Sequence, residues 1–243
     1  MRMIAAALTA ALVNSVPAAV AGDGGAALLY AYEIDRGEGE AFEAGYQAHL
    51  DWHRGRNDRL VWYGWYVVAG ARVGAFVDGT FGADFAEVDA RPALKEDGAH
   101  FTEHVAPYAS PTRYAVYELW RGPSTALTLE DRDPSRYLDA YFLEVAPAEA
   151  AAFEKRLASL PKSNAPLAWY RAGPGAPAPG YMLLAPRSDW ASFAGRGISF
   201  GDLIRAAYKA DDADVAALAR SIGKIDSEIW AYRPDLSYIP TSH

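Results

Sequence analysis

The sequence contains no cysteine and no run of lysine and arginine residues. Without cysteine the chain has no disulfide, no thiolate metal ligand, no thiol nucleophile and no lipid-modified thiol. The formal net charge of −8 would repel both a nucleic-acid backbone and an anionic membrane surface. We therefore expect neither a nucleic-acid nor a membrane partner.

The sequence has a single long apolar run, which lies at the N-terminus. Arg2 precedes the apolar stretch 4–13, which is too short to cross a bilayer, and Ala-Val-Ala at 19–21 matches a signal-peptidase site. We predict a signal peptide over residues 1–21 and export to the periplasm or the cell exterior. Hydrophobic residues make up 51% of the chain, which is enough for a core that needs no disulfides.

Apolar periodicity predicts the same element order twice, β-α-β-β-α-β, in residues 27–121 and again in 135–233. The polar stretch 122–134 reads as a linker and residues 234–243 as a C-terminal tail. Expected strands cover 27–34, 60–68, 73–80 and 112–120, then 137–145, 168–172, 180–185 and 227–232. Expected helices cover 38–54, 85–90, 92–105, 147–160 and most of 200–222. Each unit is thus a ferredoxin-like βαββαβ unit.

The two units match residue by residue, which indicates a duplication. Helical positions Glu38, Ala41, Phe42 and Glu43 correspond to Glu149, Ala152, Phe153 and Glu154, and Trp65-Tyr66 corresponds to Trp169-Tyr170. Each sheet would carry helices on one face only, so its bare face must be covered. Mutual coverage predicts two sheets that pack face to face.

This tandem arrangement, with Trp65-Tyr66 before a glycine-containing turn, resembles the dimeric α/β-barrel superfamily. That group includes NIPSNAP-like proteins, antibiotic-biosynthesis-type monooxygenases and several haem-handling proteins. The resemblance implies an α+β fold in which one chain forms, by duplication, the barrel that relatives form as a homodimer. Whether this chain is itself a monomer or a homodimer stays open.

One histidine pair falls on the inward face of the first predicted helix. His49 and His53 are spaced i,i+4, and both lie within about 20° of the apolar Phe42 on a helical wheel. The corresponding residues of the second unit are Leu160 and Asn164. Burial of a polar ring where the other copy has leucine requires a partner. That partner is either a ligand or a neighbouring tyrosine or carbonyl group.

A second pair, His100 and His104, is expected on the flank or surface of its helix. The predicted inward stripe there consists of Leu94, Phe101 and Val105. Because the two helices of a ferredoxin-like unit are antiparallel, the two histidine pairs should lie at opposite ends. We therefore predict no metal ligands.

Glu33, near the end of the first strand, is the candidate carboxylate for a general base. Glu144 holds the same position in the second unit, which favours a structural role common to both. The aromatic candidates for a ligand site are Trp52, Tyr32, Tyr46, Trp62 and Trp65, and ordinary core packing is the alternative for them.

These features favour an exported protein that binds a small apolar or aromatic molecule in its first unit, with His49, His53 and Glu33 as catalytic candidates. No cofactor is required by the sequence. The resemblance implies two further functions: a cofactor-independent monooxygenase or isomerase, or a haem protein with His49 or His53 as axial ligand. The remaining alternative is a non-catalytic structural or stress-related protein. A cavity beside His49 and Trp52 would favour binding, whereas filled interiors would favour the structural role.

Overall fold

A computed structural model describes residues 24–196 and 199–240 of the chain. The predicted signal peptide, residues 1–21, lies outside the described residues, so export stays a prediction. None of the helices in these two ranges combines the length and the hydropathy of a membrane span.

The elements confirm two consecutive βαββαβ units. The first contains β1 (Ala26–Ile34), α1 (Gly39–Gly55), β2 (Tyr63–Ala69), β3 (Phe76–Ala83), α2 (Phe85–Asp89), α3 (Leu94–His104) and β4 (Ala109–Leu119). The second contains β5 (Tyr137–Val145), α4 (Ala150–Ser159), β6 (Ala168–Ala172), β7 (Gly180–Arg187), α5 (Ala191–Arg196), α6 (Phe200–Ala207), α7 (Asp212–Ser221) and β8 (Ile222–Tyr232). Several strands are displaced from their predicted bounds. The hairpin strand β3, for example, begins at Phe76 instead of residue 73.

The eight strands form one closed barrel in the order β1-β3-β2-β8-β5-β7-β6-β4, with every neighbouring pair antiparallel. The two units join where β2 pairs with β8 and where β4 pairs with β6. The predicted sheets therefore face each other across a shared interior. Closure leaves neither sheet with an unpaired edge strand.

Side chains alternate between the barrel interior and the helical layer, as the period of a strand requires. Along β1, Ala27, Leu29 and Ala31 point into the interior, whereas Tyr32 packs outside against helix residues. Large rings from both units fill the interior, including Tyr63, Trp65, Tyr170 and Trp230. The helices cover the outside of the barrel, α1 and α3 on the first unit and α4, α6 and α7 on the second.

The segment after β8 packs on the first unit. Trp62 and Tyr238 exchange two backbone hydrogen bonds of 2.7 and 2.8 Å, and Leu236 is fully buried. A β-carbon at Gly64 would lie 2.2 Å from the carbonyl oxygen of Leu236, so this close approach requires glycine. The region predicted as a tail thus covers one wall of the first unit. In the predicted linker, Leu129 is buried and its carbonyl oxygen accepts a 2.7 Å hydrogen bond from the Tyr63 hydroxyl.

Candidate functional site

A cavity of about 680 Å³ opens between the outer face of β1 and β3 and the helices α1 and α3. Its volume lies within the usual range of small-molecule sites. Six aromatic side chains line it, namely Tyr30, Tyr32, Tyr46, Trp62, Phe101 and Tyr114. The polar groups are concentrated in His49, His53, Asp78 and Asp97, with Arg91 and Arg113 also in the lining.

Three donor atoms from two helices converge at one part of the cavity wall. Nε2 of His49 lies 3.3 Å from Nε2 of His53, because residues four apart share one face of α1. Oδ1 of Asp97, on α3, lies 3.3 Å from the first of these nitrogens and 3.4 Å from the second. The three atoms form a nearly equilateral triangle, which is called the His–His–Asp triangle below.

In each member of the His–His–Asp triangle, the ring nitrogen or carboxylate oxygen that points away from the triangle contacts another polar group. Nδ1 of His53 lies 2.7 Å from Oδ2 of Asp58, and that carboxylate also accepts a 3.2 Å hydrogen bond from the Trp62 indole. Nδ1 of His49 lies 3.2 Å from Nδ1 of His100. The second oxygen of Asp97 binds the guanidinium group of Arg91 at 2.5 Å. The orientations of both rings and the carboxylate are therefore fixed.

Asp78 is a buried carboxyl group in the middle of β3, with 4% of its surface exposed. The Tyr46 hydroxyl donates a 2.7 Å hydrogen bond to Oδ2, whereas Oδ1 has no hydrogen-bond partner among the described residues. Burial raises the pKa of Asp78 to about 7, and nearby Asp97 adds to the rise, while the Tyr46 hydrogen bond opposes it. Near neutral pH this group can both accept and donate a proton.

Burial also sets the charge of the other groups around the cavity. It lowers the pKa of His49, although the Asp97 carboxylate acts in the opposite direction. Burial alone would raise the pKa of Asp97, but His49 and Arg91 outweigh it and hold the pKa below its ordinary value. The pKa values of Tyr30 and Tyr32 are raised by burial, so their hydroxyl groups stay protonated at neutral pH.

Most of the residues predicted from the sequence meet at this cavity. Its lining contains His49, His53, Tyr32, Tyr46 and Trp62. Their roles in binding or catalysis stay predictions.

Three other candidates lie elsewhere. Trp52 is outside the lining and packs against His49, with the guanidinium of Arg56 over its indole ring at 4.0 Å. Trp65 is fully buried in the barrel interior, and Glu33 is exposed at the end of β1. The structure therefore does not bring these three side chains to the cavity.

Asp97 was missed because the helical phase of α3 was set from the wrong residue. Leu94 is 53% exposed and does not face the core. The helix begins at Leu94, and the residue before it, Ala93, has a left-handed backbone conformation. The face that contacts α1 contains Asp97 and His100. Since His49 and His100 both lie near the middle of their antiparallel helices, they touch, and the expected separation of the two histidine pairs is wrong.

Asp78 lies inside the predicted strand 73–80, but its context, Val-Asp-Gly, does not show which side of the sheet its side chain occupies. The sheet register removes that ambiguity, since Asp78 pairs with Tyr30 of β1. A carboxyl group between apolar neighbours in a strand with both faces covered was the signal available in the sequence.

The arrangement of His49, His53 and Asp97 does not allow either histidine to serve as an axial haem ligand. An axial imidazole requires the broad face of a flat macrocycle directly in front of its Nε2 atom. In front of Nε2 of His53 lie Nε2 of His49 at 3.3 Å and Oδ1 of Asp97 at 3.4 Å. A macrocycle in that position would collide with both groups, so we derive no chemistry through haem.

No protein-family model matches the sequence, and no curated protein sequence matches it either. Solved structures do match. One, from Lactobacillus acidophilus NCFM and provisionally described as a monooxygenase, is 10% identical with a TM-score of 0.54 over 90% of this chain and 98% of its own. A second of that description, from Fusobacterium nucleatum, is 8% identical with a TM-score of 0.53, over 86% and 93%. A chlorite dismutase from Candidatus Nitrospira defluvii in complex with imidazole is 7% identical with a TM-score of 0.53, over 88% and 92%.

Proposed function

We propose that this chain, which has the fold of the dimeric α/β-barrel superfamily, binds a small flat aromatic molecule in the cavity of its first unit. The aromatic walls support this ligand class. Tyr30 stacks on Tyr114 with 4.6 Å between ring centroids, and the Trp62 ring lies 6.4 Å from Tyr30. Rings held in this way present flat apolar surface at little entropic cost. The guanidinium group of Arg113 in the lining favours a ligand that carries a partial negative charge, whereas the charge of Arg91 is balanced by Asp97.

Asp78 is the observation that carries a catalytic role. A buried carboxyl group with one unpartnered oxygen is costly for the fold, and such groups cluster at functional sites. Asp78 belongs to the cavity lining, Tyr46 holds its Oδ2 in place, and its Oδ1 is buried without a hydrogen-bond partner among the described residues. The site thus offers a carboxyl group that Tyr46 holds in place and whose pKa is raised by burial toward neutral pH, as a general base requires.

The chemistry that suits this arrangement is proton abstraction next to a carbonyl group. Asp78 takes the proton from carbon, the C–H bond breaks, and its electron pair passes to the carbonyl oxygen as an enolate. The hydroxyl groups of Tyr30 and Tyr32, which stay protonated, are suited to donate to that oxygen. Return of the proton to the same carbon gives exchange, and return to a different carbon gives an isomer. The step needs no cofactor.

Hydrogen exchange in 2-tetralone, an enolisable bicyclic ketone, tests this proposal. The ketone is incubated with the protein in D₂O and a chelator, and loss of the proton signal beside the carbonyl is followed by NMR. We expect exchange above the background rate in the wild type and a loss of about 100-fold or more in Asp78→Asn. Glu33→Gln is the matched control, since it removes the exposed carboxylate at the end of β1 and should change nothing.

Equal exchange in the wild type and Asp78→Asn would refute the assignment of Asp78. If 2-tetralone binds but its protons do not exchange, the binding function stands and the proposed enzymatic activity is refuted. Because two of the similar structures are described provisionally as monooxygenases, the assay is repeated with and without dioxygen, and oxygen uptake is recorded.

A further inference from the structure

The His–His–Asp triangle has the dimensions of a metal site. Its three donor atoms are separated by 3.3, 3.3 and 3.4 Å. Metal–ligand bonds of about 2.05 Å at the tetrahedral angle place neighbouring ligand atoms about 3.35 Å apart. An ion above the triangle would therefore reach all three atoms without any movement of His49, His53 or Asp97.

The hydrogen bonds behind the triangle direct lone pairs toward its centre. The Asp58 carboxylate, 2.7 Å from Nδ1 of His53, favours a proton on that nitrogen and leaves Nε2 as an acceptor. Nδ1 of His49 lies 3.2 Å from Nδ1 of His100, and in the tautomer in which His49 donates this hydrogen bond its Nε2 is an acceptor as well. The Arg91 guanidinium occupies the far oxygen of Asp97 and leaves Oδ1 facing the two nitrogens.

With both histidines in this tautomer, three acceptors face one another, and no positive group of the described residues lies between them. Oδ1 of Asp97 is buried, and no donor in the described part of the chain completes a hydrogen bond to it. Both imidazole rings are also buried, with 6% of His49 and 2% of His53 exposed. Mutual repulsion of acceptors in a region of low dielectric is unfavourable unless a cation lies among them.

We propose that His49, His53 and Asp97 bind one divalent transition-metal ion, of the Zn²⁺ or Fe²⁺ type, whose remaining coordination positions face the cavity. Two imidazole nitrogens and one carboxylate oxygen form the donor set of catalytic zinc sites and of non-haem iron sites. Mg²⁺ and Ca²⁺ prefer oxygen ligands and are disfavoured. All three residues line the cavity, so the positions that the protein leaves unfilled are accessible to water or to a ligand.

This inference does not rest on the function proposed above. Metal binding is measured without an organic ligand, and the 2-tetralone assay is run with a chelator, so either result can fail while the other stands. The second unit supplies an internal contrast, because α4 ends at Ser159, before the two positions that align with the histidines, Leu160 and Asn164.

Titration of the full chain, purified without a polyhistidine tag, tests the metal site. Zn²⁺ binding is measured by calorimetry, Fe²⁺ binding by the same method without oxygen, and coordination geometry by the visible spectrum with Co²⁺. We expect one ion per chain and a rise in melting temperature with Zn²⁺. Asp97→Asn, which keeps the shape of the side chain, should weaken binding by about 100-fold or more, and the double variant His49→Ala/His53→Ala should abolish it.

His104→Ala is the matched control, since it removes an imidazole from α3 that lies outside the triangle, and it should bind Zn²⁺ like the wild type. Circular dichroism without metal checks that each variant is folded. The proposal is overturned if the wild type binds none of the three ions, if the double variant binds as tightly as the wild type, or if Asp97→Asn has no effect. If the double variant fails to fold, Asp97→Asn and the Co²⁺ spectrum of the wild type decide the question.

Discussion

In the second unit, Leu157, Leu160 and Leu183 pack together with aromatic rings and fill the space between α4 and the sheet. Sheet register and the helix alignment place Tyr46, His49 and Asp78 at the corresponding positions of the first unit. Tyr30 pairs with Asp78 in β3, for example, just as Tyr141 pairs with Leu183 in β7. One copy of the duplicated unit thus has a closed apolar layer, whereas the other has a cavity with polar groups.

Features that the two copies share have structural explanations. Glu43 on α1 binds Arg233 through two contacts of 2.7 and 2.8 Å. Its counterpart Glu154 on α4 binds Arg171 through contacts of 2.9 and 3.0 Å. The first pair fastens α1 to the segment that follows β8, and the second fastens α4 to β6. Where the copies differ, structural need does not account for the residue, so the differences are the better guide to function.

The largest effect is expected when a polar residue of the first unit is introduced at the corresponding position of the second unit. Leu183→Asp puts an unpaired carboxyl group into a filled apolar layer and should lower the free energy of unfolding by about 5 kcal/mol. The reverse change, Asp78→Leu, leaves only the Tyr46 hydroxyl without its acceptor and should cost about 1–2 kcal/mol. Urea unfolding measures both, and equal losses would contradict the contrast between the units.

Phe42→Ala and Phe153→Ala test the shared anchors of the two units. Both rings are buried at matched positions of α1 and α4. Each truncation should lower the free energy of unfolding by about 3–5 kcal/mol. A nearly neutral result in either unit would mean that the two helices are not equivalent.

The pH dependence of stability should distinguish Asp78 from its counterpart Leu183. The folded pKa of Asp78, about 7, exceeds its unfolded value. The folded state therefore binds more protons between the two values, and stability falls as pH rises through that range. From pH 5 to pH 8 the loss should be roughly 2–3 kcal/mol. Tyr46 from α1 and Asp97 from α3 face this carboxyl group.

The measurement is urea unfolding at several pH values with a chelator present, in the wild type and Asp78→Asn. Asp78→Asn should lose this part of the pH dependence. Its stability relative to that of the wild type should therefore be greatest at alkaline pH. An unchanged slope in Asp78→Asn would show that another group is responsible.

The smallest effect is expected at the carboxylates that both copies carry at the end of their first strands. Glu33 is exposed, and Glu144 lies 3.7 Å from the exposed ammonium group of Lys224. Surface pairs of this kind contribute little. Glu33→Gln and Glu144→Gln should each change the free energy of unfolding by less than about 0.5 kcal/mol. A larger loss of unfolding free energy in Glu33→Gln alone would make Glu33 a candidate for a functional role again.

The fold could be predicted because the β-α-β-β-α-β order occurs twice, and the second occurrence strengthens a prediction that either one alone would support only weakly. Helical periodicity placed His49 and His53 on the buried face of α1, and the structure confirms their burial. The partner of these histidines was not predictable, since Asp97 reaches them through the rotation of α3 about its own axis. The apolar residues of α3 do not indicate that rotation, since Leu94 is exposed in the structure. Asp78 depends in turn on the register of β3 against β1.

The central claim is that the first unit, and not the second, contains the binding site. The indole N–H signals of Trp62 and Trp169 test it directly, because one ring lines the cavity and the other lies in the filled apolar layer. In an NMR titration with 2-tetralone we predict that the Trp62 signal shifts with saturation while the Trp169 signal stays fixed. A shift of Trp169 with Trp62 unchanged, or no shift of either, would contradict the account.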